Sequence, residues 1–399
     1  MSNVHIAGGG IGGLAAALAC ARAGHAVGVS ERVSEVSEVG AGIQLGPNVV
    51  KVLYDWGLEA ALRQVAVFPE QLQVRSAITG GTLSSLRLGE VFQQRYGAPY
   101  LTIHRADLHR VLLRAVQATG TVDLHFGSGL TGFTQGDNGV TTESASHLQT
   151  HSDLLVGADG GWSTVRTLLL NDGTPQPTGH LAYRAMVPQG DLPLHLRSDQ
   201  VTAWLGPKLH VVQYPVRGGD WLNVVVIVQG QVTGDMSHWD HSANAKDLQH
   251  SMDLACAPLR ELVAAIAFWR LWPLSIRPPM RGPQEHVKGR VALLGDAAHP
   301  MVPYLAQGAG MAIEDAAALA WALGESFGSQ DAVNDVPTQL QRYARARWQR
   351  NAQVQARAIK NGQIFHATGL MRWGRDVALS LLGENLLNMP WLYGGRPHP

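Results

Sequence analysis

Five glycines fill the six positions from Gly8 to Gly13, broken only by Ile11. Before them stand the apolar residues Val4, Ile6 and Ala7, and after them an Ala/Leu-rich stretch runs from Leu14 to Ala23 and stops at Gly24. The flanks read as a short buried strand, a tight turn and a helix, and AVGVSE beyond Gly24 reads as a second strand. Gly8, Gly10 and Gly13 take the G-x-G-x-x-G spacing. The first two let the backbone turn sharply and approach a pyrophosphate, and the third lets the helix pack close to the strand. Unpaired N–H groups at the helix N-terminus then face the phosphates. Glu31 closes the second strand, where a carboxylate accepts from ribose hydroxyls. The pattern predicts a dinucleotide fold, and from these residues alone NAD and FAD both fit. A secretory leader would need a positive start and an unbroken apolar block, whereas Arg22 and His25 interrupt this one. A membrane helix of about 20 apolar residues fits no better.

With 399 residues, 45% of them hydrophobic and 16% charged, the chain suits one large domain or two fused ones. Its 31 basic and 31 acidic residues cancel, so no charged field recruits nucleic acid and no membrane partner is expected. Cys20 and Cys256 lie far apart, as two reduced thiols of a cytoplasmic protein would. The histidines are scattered without zinc-like spacing, so no metal is expected.

Two later stretches repeat the strand-to-helix theme. LLVGADGGWSTVR, from Leu154 to Arg166, carries Asp159-Gly160 after an apolar strand. GRVALLGDAAHPMVPYLAQGAGMAIEDAAALAWAL, from Gly289 to Leu323, carries Gly295-Asp296, a proline-bearing loop and a long helix. Gly and Asp are ordinary at any such connection, but here both come with full flanks. Between about Thr178 and Pro279 the pattern changes to strands. LHVVQYPVRGGDWLNVVVIVQ reads as a hairpin turning at Arg217 to Asp220, and a period of two puts His210, Val212 and Tyr214 on one face. On residue type alone His210 and Tyr214 could equally be a satisfied polar pair in a half-buried sheet. In LTIHRADLHRVLLRAV, Leu108, Val111, Leu112 and Ala115 have the spacing of a buried helix face, and Arg105 stands just before it. Near the C-terminus, Arg342, Arg345, Arg350 and Arg357 read as a solvated helix face, with a homodimer contact as the other use, and Trp391 and Tyr393 as packed back on the body.

The three motifs, in this order and spacing, resemble the single-component FAD-dependent aromatic hydroxylases, and the resemblance covers essentially the whole chain. It implies an α/β protein with a Rossmann-like FAD-binding domain formed by residues 1–177 and 280–399, an inserted mixed-sheet substrate domain over 178–279, and C-terminal helices. It also implies tightly bound, non-covalent FAD, with NADH or NADPH binding only transiently, and a flavin C4a-hydroperoxide that hydroxylates a phenol. By matching motifs, Glu31 with Arg32 resembles the adenosine ribose site, Arg105 the pyrophosphate arginine, and Asp296 the ribityl or pyrophosphate carboxylate. Asp159 resembles a residue linked to both cofactors, and Gly308, Ala309 and Gly310 the helix start aimed at the flavin's carbonyl edge. His210 is then the candidate base and Tyr214 the orienting group, since a phenol of pKa about 10 is neutral at pH 7 until a base takes its proton. GAGIQLGPN, HVVQYPVRGG and GDAAHPMVPYLAQGAGMAIEDA look most like 3-hydroxybenzoate 6-hydroxylases, with Gln44, Pro303 and Tyr304 in the substrate pocket. Pro303 stands where one such enzyme has glutamine. The 6-hydroxynicotinate 3-monooxygenases depart at Gln44 and Tyr304, and salicylate hydroxylases are a further alternative. A flavoprotein that binds FAD without hydroxylating is the alternative from another class.

Overall fold

The computed structural model describes residues 1–34, 41–230, 241–242, 245–324 and 335–398. Its first sheet has six strands in the order Val287–Lys288, Val291–Leu293, Leu154–Gly157, Asn3–Ala7, Ala26–Glu31 and Val122–Phe126. All neighbours run parallel except the Val287–Lys288 edge, as expected for strands linked by helical crossovers. Val4, Ile6, Leu155 and Val156 are wholly buried because both faces are covered. One is covered by the helices Ile11–Arg22 and Arg105–Ala118, the other by the helix Thr164–Leu170 and a small antiparallel sheet whose strand Gly139–Ser144 brings Val140. The helix Ile11–Arg22 lies between this sheet and the helix Gly308–Gly324. It carries no polar face: Ala15, Ala16, Ala17 and Cys20 are all fully buried. The small residues let the two helices approach, and a Cβ at Gly12 would stand 3.2 Å from that of Ala312. Leu108 and Leu112 of the helix Arg105–Ala118 are buried as their spacing requires.

A second sheet of eight strands runs in the order His241–Ser242, Arg270–Ile276, Gln176–Pro188, Trp221–Gln229, Leu209–Val216, Val201–Gly206, Gln71–Ser76 and Thr82–Arg87. It is antiparallel apart from the pair Val201–Gly206 with Gln71–Ser76, so it is mixed, as the sequence suggests. Two of its strands come from before residue 178, outside the segment that the sequence pattern marks as the substrate part. Period-two patterning finds strands but not their partners, and this parallel pairing joins distant segments. The hairpin Leu209–Val216 and Trp221–Gln229 turns through Arg217–Gly219 as its sequence predicts. Pleating sends Val211, Val224 and Val226 to an apolar layer under the helix Ala257–Ala264. Each such fully buried Val contributes about 1.5–3 kcal/mol. The opposite face carries Ala182, Tyr214, Ile227 and Trp272 against Tyr304, Leu305, Val354 and Tyr393. That face looks toward the first sheet's helices, and the chemistry-bearing residues collect there. Tyr393 packs into this layer, as expected for the tail. Cys20 and Cys256 are both free thiols, Cys20 in the core and Cys256 partly buried.

Candidate active site

The glycine turn is built as its spacing demands. Gly8 sits at φ +112°, and a Cβ there would lie 2.4 Å from the Ala158 carbonyl oxygen. A Cβ on Gly13 would come within 1.8 Å of the Gly8 carbonyl oxygen, so the helix rests directly on the turn. Gly10 differs: a Cβ there would meet nothing within 4 Å, because this position faces the open crease. Glu31 braces the turn by accepting from the Gly9 N–H at 2.6 Å and the Val33 N–H at 3.0 Å. From the other side His109 bonds the Gly9 carbonyl at 2.8 Å. His109 is buried on the helix Arg105–Ala118, and the apolar spacing that identifies that helix carries no sign of it. Arg32 is exposed, its stem against Gly129, outside the set that braces the turn.

A second wall comes from the Gly295-Asp296 loop and the helix it feeds. Gly295 takes φ +60°, which favours glycine, and Asp296 lies beside Gly308, where a Cβ would be 3.9 Å from the Asp296 Oδ1. Asp296 is exposed along one line of approach yet ringed by protein, and that enclosure pushes its carboxyl pKa up while His299 and Arg105 pull it back. Gly310 admits the neighbouring Val49, which a Cβ would meet at 2.7 Å. Ala309 completes this first turn, half-buried. Gly12 and Ala312 nearly touch, so the two helices open onto the same crease at their N-termini. Arg105 starts its own helix, its N–H donating to the Ala41 carbonyl at 2.9 Å. Glu31, Arg105, Asp296 and Gly308–Gly310 are thus brought around one crease.

Asp159 also has a structural part within its own motif. Its carboxylate accepts from the Ser163 hydroxyl and the Val165 N–H, capping the helix Thr164–Leu170. Burial raises its pKa, and these hydrogen bonds offset part of that rise. The loop after Gly295 is held from below by buried charges, of which the sequence reading had placed Arg350 on a solvated face. Arg347 is fully buried and donates to Asp315 at 2.8 Å and Glu314 at 2.9 Å, while Arg350 donates to Glu314 at 2.7 Å. Asp315 in turn accepts from the Gly295 N–H at 3.1 Å and from His299. Burial alone would raise Asp315, but His299 and Arg347 hold it far below the usual carboxylate range. The arginines Arg342 to Arg357 therefore do not form one solvated face. IEDAA offers buried carboxylates about two turns into the helix, and that was the available signal.

The substrate side lies on the second sheet's inner face. His210 and Tyr214 are both buried, at 1% and 4% exposure. Four residues apart on one strand, their Cα atoms are roughly 13 Å apart, with the partly buried Val212 between them. At one end the His210 ring packs on Tyr304, centroids 5.1 Å apart, and its Nδ1 shares a 2.7 Å hydrogen bond with His366 Nε2. Burial, helped by His366 and His180, drops the His210 pKa well below its usual value, so the ring is neutral. Tyr304 sits in the turn Pro303–Leu305, its ring admitted by Gly362, where a Cβ would be 2.6 Å away. At the other end Tyr214 stands near Gln44, which accepts from the Tyr100 hydroxyl at 2.7 Å. Arg184 joins this end, stacked over Trp272 at 5.0 Å. Its Nε is buried without a hydrogen-bond partner, and no carboxylate among the described residues pairs with it. Burial lowers its pKa. On the substrate side, Arg184 and His366 are residues that sequence reasoning missed, as it missed His109 beside the glycine turn. Neither stands in a motif, and only the fold brings them to the site.

The FAD binding domain family matches residues 1–358. The 3-hydroxybenzoate 6-hydroxylase of Polaromonas naphthalenivorans (strain CJ2) is 38% identical over 395 residues, 98% of this chain and 95% of that protein. The chain belongs to the single-component FAD-dependent aromatic hydroxylases. Among solved structures, Klebsiella pneumoniae HpxO complexed with FAD and uric acid is similar, with a TM-score of 0.81 at 25% identity over 96% of this chain and 94% of that one. A salicylate hydroxylase substrate complex matches with a TM-score of 0.82 at 26% identity, covering 99% of this chain and 96% of that one. The hydroxylase has the features FAD needs. Gly10 faces open space, two helix N-termini meet beside it, and Arg105 opens a third helix close enough to Asp296 to pull its pKa down.

Proposed function

We propose that this enzyme hydroxylates a hydroxylated aromatic carboxylate with O2 and NADH or NADPH, and that its substrate is 3-hydroxybenzoate, converted to gentisate. The pocket's two unlike ends carry this reading: a neutral histidine at one, an unpaired arginine beside a tyrosine at the other. Bound FAD would supply the redox chemistry: hydride acceptance from the nicotinamide and activation of O2 for transfer of one oxygen atom. Glu31, Arg105, Asp296 and the N-terminal turn at Gly308–Gly310 would hold it. His210 Nε2, which makes no hydrogen bond among the described residues, receives the substrate's hydroxyl and accepts its proton. A phenolate is more electron-rich than a phenol, and a positioned base of this kind contributes roughly 10²–10⁴-fold. Arg184 and the Tyr214 hydroxyl take the carboxylate, a charge-assisted contact stronger than a neutral one. Tyr304 and Leu305 close the apolar walls between the ends.

The curated relative that shares 38% of its residues is named for this substrate and position of attack. The same reading places the enzyme in the cytoplasm, where its two free thiols stay reduced, and allows pairing of two copies. Among the described residues no helix is long and apolar enough to cross a membrane. The test is nicotinamide oxidation by the FAD-loaded protein with 3-hydroxybenzoate, salicylate, 4-hydroxybenzoate and 6-hydroxynicotinate. Stimulation greatest with 3-hydroxybenzoate, with little peroxide, supports the assignment. Peroxide alone from every compound overturns it.

A further inference from the structure

Gln44 and Tyr214 meet at one end of the pocket from two different sheets. Tyr214 belongs to the eight-stranded sheet, and Gln44 to the strand Gly42–Leu45, which pairs with Leu101–His104 in a two-stranded ribbon. Their separation therefore depends on how the ribbon is fixed to the sheet. Two hydrogen bonds fix it. The Gly42 N–H donates to Asn223 Oδ1 at 2.7 Å, and the Thr102 hydroxyl donates to the Pro215 carbonyl at 2.5 Å. Asn223 is the cross-strand partner of Tyr214, and Pro215 is the next residue, so both bonds land at one rung of the large sheet. On the ribbon, Thr102 is the cross-strand partner of Gln44. Cross-strand partners share a face, so the bond from Thr102 to Pro215 also turns Gln44 toward the sheet. The approach is close: a Cβ at Gly42 would stand 2.6 Å from the Tyr214 ring and 2.8 Å from Asn223 Cγ.

Asn223 is poorly suited to packing alone. It is fully buried, and its Nδ2 has no hydrogen-bond partner among the described residues. A leucine would fill the same space without an unpaired donor. Gly42 settles the orientation of the amide, because an N–H can only donate and the atom that faces it must be the oxygen. With no exposed surface, Asn223 acts on the pocket through the ribbon it holds. Thr102 is likewise fully buried, and valine would match its shape but could not donate to Pro215.

We propose that Asn223, with Thr102, sets the pocket's selectivity for a carboxylate by pinning the ribbon that carries Gln44 to the strand that carries Tyr214. The inference rests on the reading of that end as the carboxylate site. Gln44 Oε1 accepts from the Tyr100 hydroxyl, which leaves its amide N–H2 group as the donor beside Tyr214. The Tyr214 oxygen then accepts from Gln44, and its own O–H is turned to the substrate. A carboxylate only accepts, so an end lined by the Tyr214 hydroxyl and Arg184 favours it over a neutral group of similar size. Such contacts depend steeply on distance and angle, and a displacement of about 1 Å loses most of their value. Asn223 and Thr102 act through Gln44 and Tyr214 and are positioning residues.

The test compares 3-hydroxybenzoate with 3-methylphenol, which keeps the ring and hydroxyl but has a methyl group in place of the carboxylate. Binding to the FAD-loaded enzyme is read from the change in flavin absorbance, and exchange of the Gly42 amide from mass spectrometry of the peptide that contains it. Asn223→Leu trades an unpaired Nδ2 for an unpaired Gly42 N–H, so its Tm should stay within about 3 °C of the parent's. Its Kd for 3-hydroxybenzoate should rise about tenfold or more, and its Kd for 3-methylphenol less than about twofold. The Gly42 peptide should exchange faster in the same variant. Thr102→Val, which is close to isosteric, should shift the ratio of the two Kd values by about threefold, the worth of one neutral hydrogen bond. Equal Kd values for 3-hydroxybenzoate in Asn223→Leu and the parent, or an equal loss for both compounds, overturns the proposal. A parent that binds 3-hydroxybenzoate no tighter than 3-methylphenol overturns the carboxylate reading and the selectivity with it. Unchanged exchange at Gly42 in Asn223→Leu overturns the pinning even where that reading holds.

Discussion

Replacing Arg347 with leucine removes the cation between two carboxylates that have no access to water. Arg347, Glu314 and Asp315 side chains are all 0% exposed, with contacts of 2.9 and 2.8 Å. Deleting one partner of a buried pair leaves an uncompensated charge and costs about 3–5 kcal/mol. Arg350 still reaches Glu314, and His299 and Asn351 still reach Asp315, so the lower end of that range applies. For a chain of 399 residues that is a fall in Tm of roughly 4 °C. The sign with pH follows from the same contacts. In the parent protein both carboxyls are held below their ordinary values, so their stabilisation is fully present above the unfolded pKa of about 4 and is lost only as pH falls through the folded values. Without Arg347 burial dominates, the folded pKa values rise, and the variant's deficit is largest at pH 7.5 and shrinks toward pH 5.5. Because Asp315 also holds the Gly295 N–H and His299, the Asp296 wall should loosen and release flavin. Thermal unfolding at the two pH values, with free-flavin fluorescence as the second reading, measures all three effects. A deficit below about 1 kcal/mol, or one that does not change between these pH values, refutes the reasoning.

Three further outcomes are expected. Gly13→Ala must place a Cβ 1.8 Å from the Gly8 carbonyl oxygen, so the purified variant should carry no flavin absorbance, and a yellow protein would contradict the turn geometry. Glu31→Ala loses the acceptor that braces Gly9 at 2.6 Å, and its FAD Kd, measured by flavin fluorescence quenching, should rise about tenfold, equivalent to one hydrogen bond of about 1.4 kcal/mol. Arg184→Met should raise the KM for 3-hydroxybenzoate by about 10–100-fold, in line with a lost charged hydrogen bond, with kcat reduced far less. Equal KM values in the variant and its parent would remove Arg184 from the carboxylate end.

Local features were the legible ones. The glycine turn, the strand that ends at Glu31 and the Leu209–Gln229 hairpin are each set by residues close in sequence, where periodicity and turn chemistry act directly. His210 and Tyr214 could be placed on one face because a strand alternates. What escaped depends on contacts between distant segments. Gln71–Ser76 joins the large sheet through Val201–Gly206, a parallel pairing that neither strand advertises. Arg347 and Arg350 look like surface residues until Glu314 and Asp315 from another helix are set against them. His366 ends a helix more than 150 positions from His210, yet lands at hydrogen-bond distance from it. The Asp159 motif was legible, but its capping of the helix Thr164–Leu170 through Ser163 and Val165 was not.

The most direct measurement is turnover of 3-hydroxybenzoate under ¹⁸O2 with NADH or NADPH, with the product identified by mass spectrometry and its amount set against nicotinamide consumed. The structure predicts gentisate carrying a single labelled oxygen, formed in near-equal amount to the nicotinamide oxidised. Unlabelled 3-hydroxybenzoate recovered with an equivalent of hydrogen peroxide would contradict it.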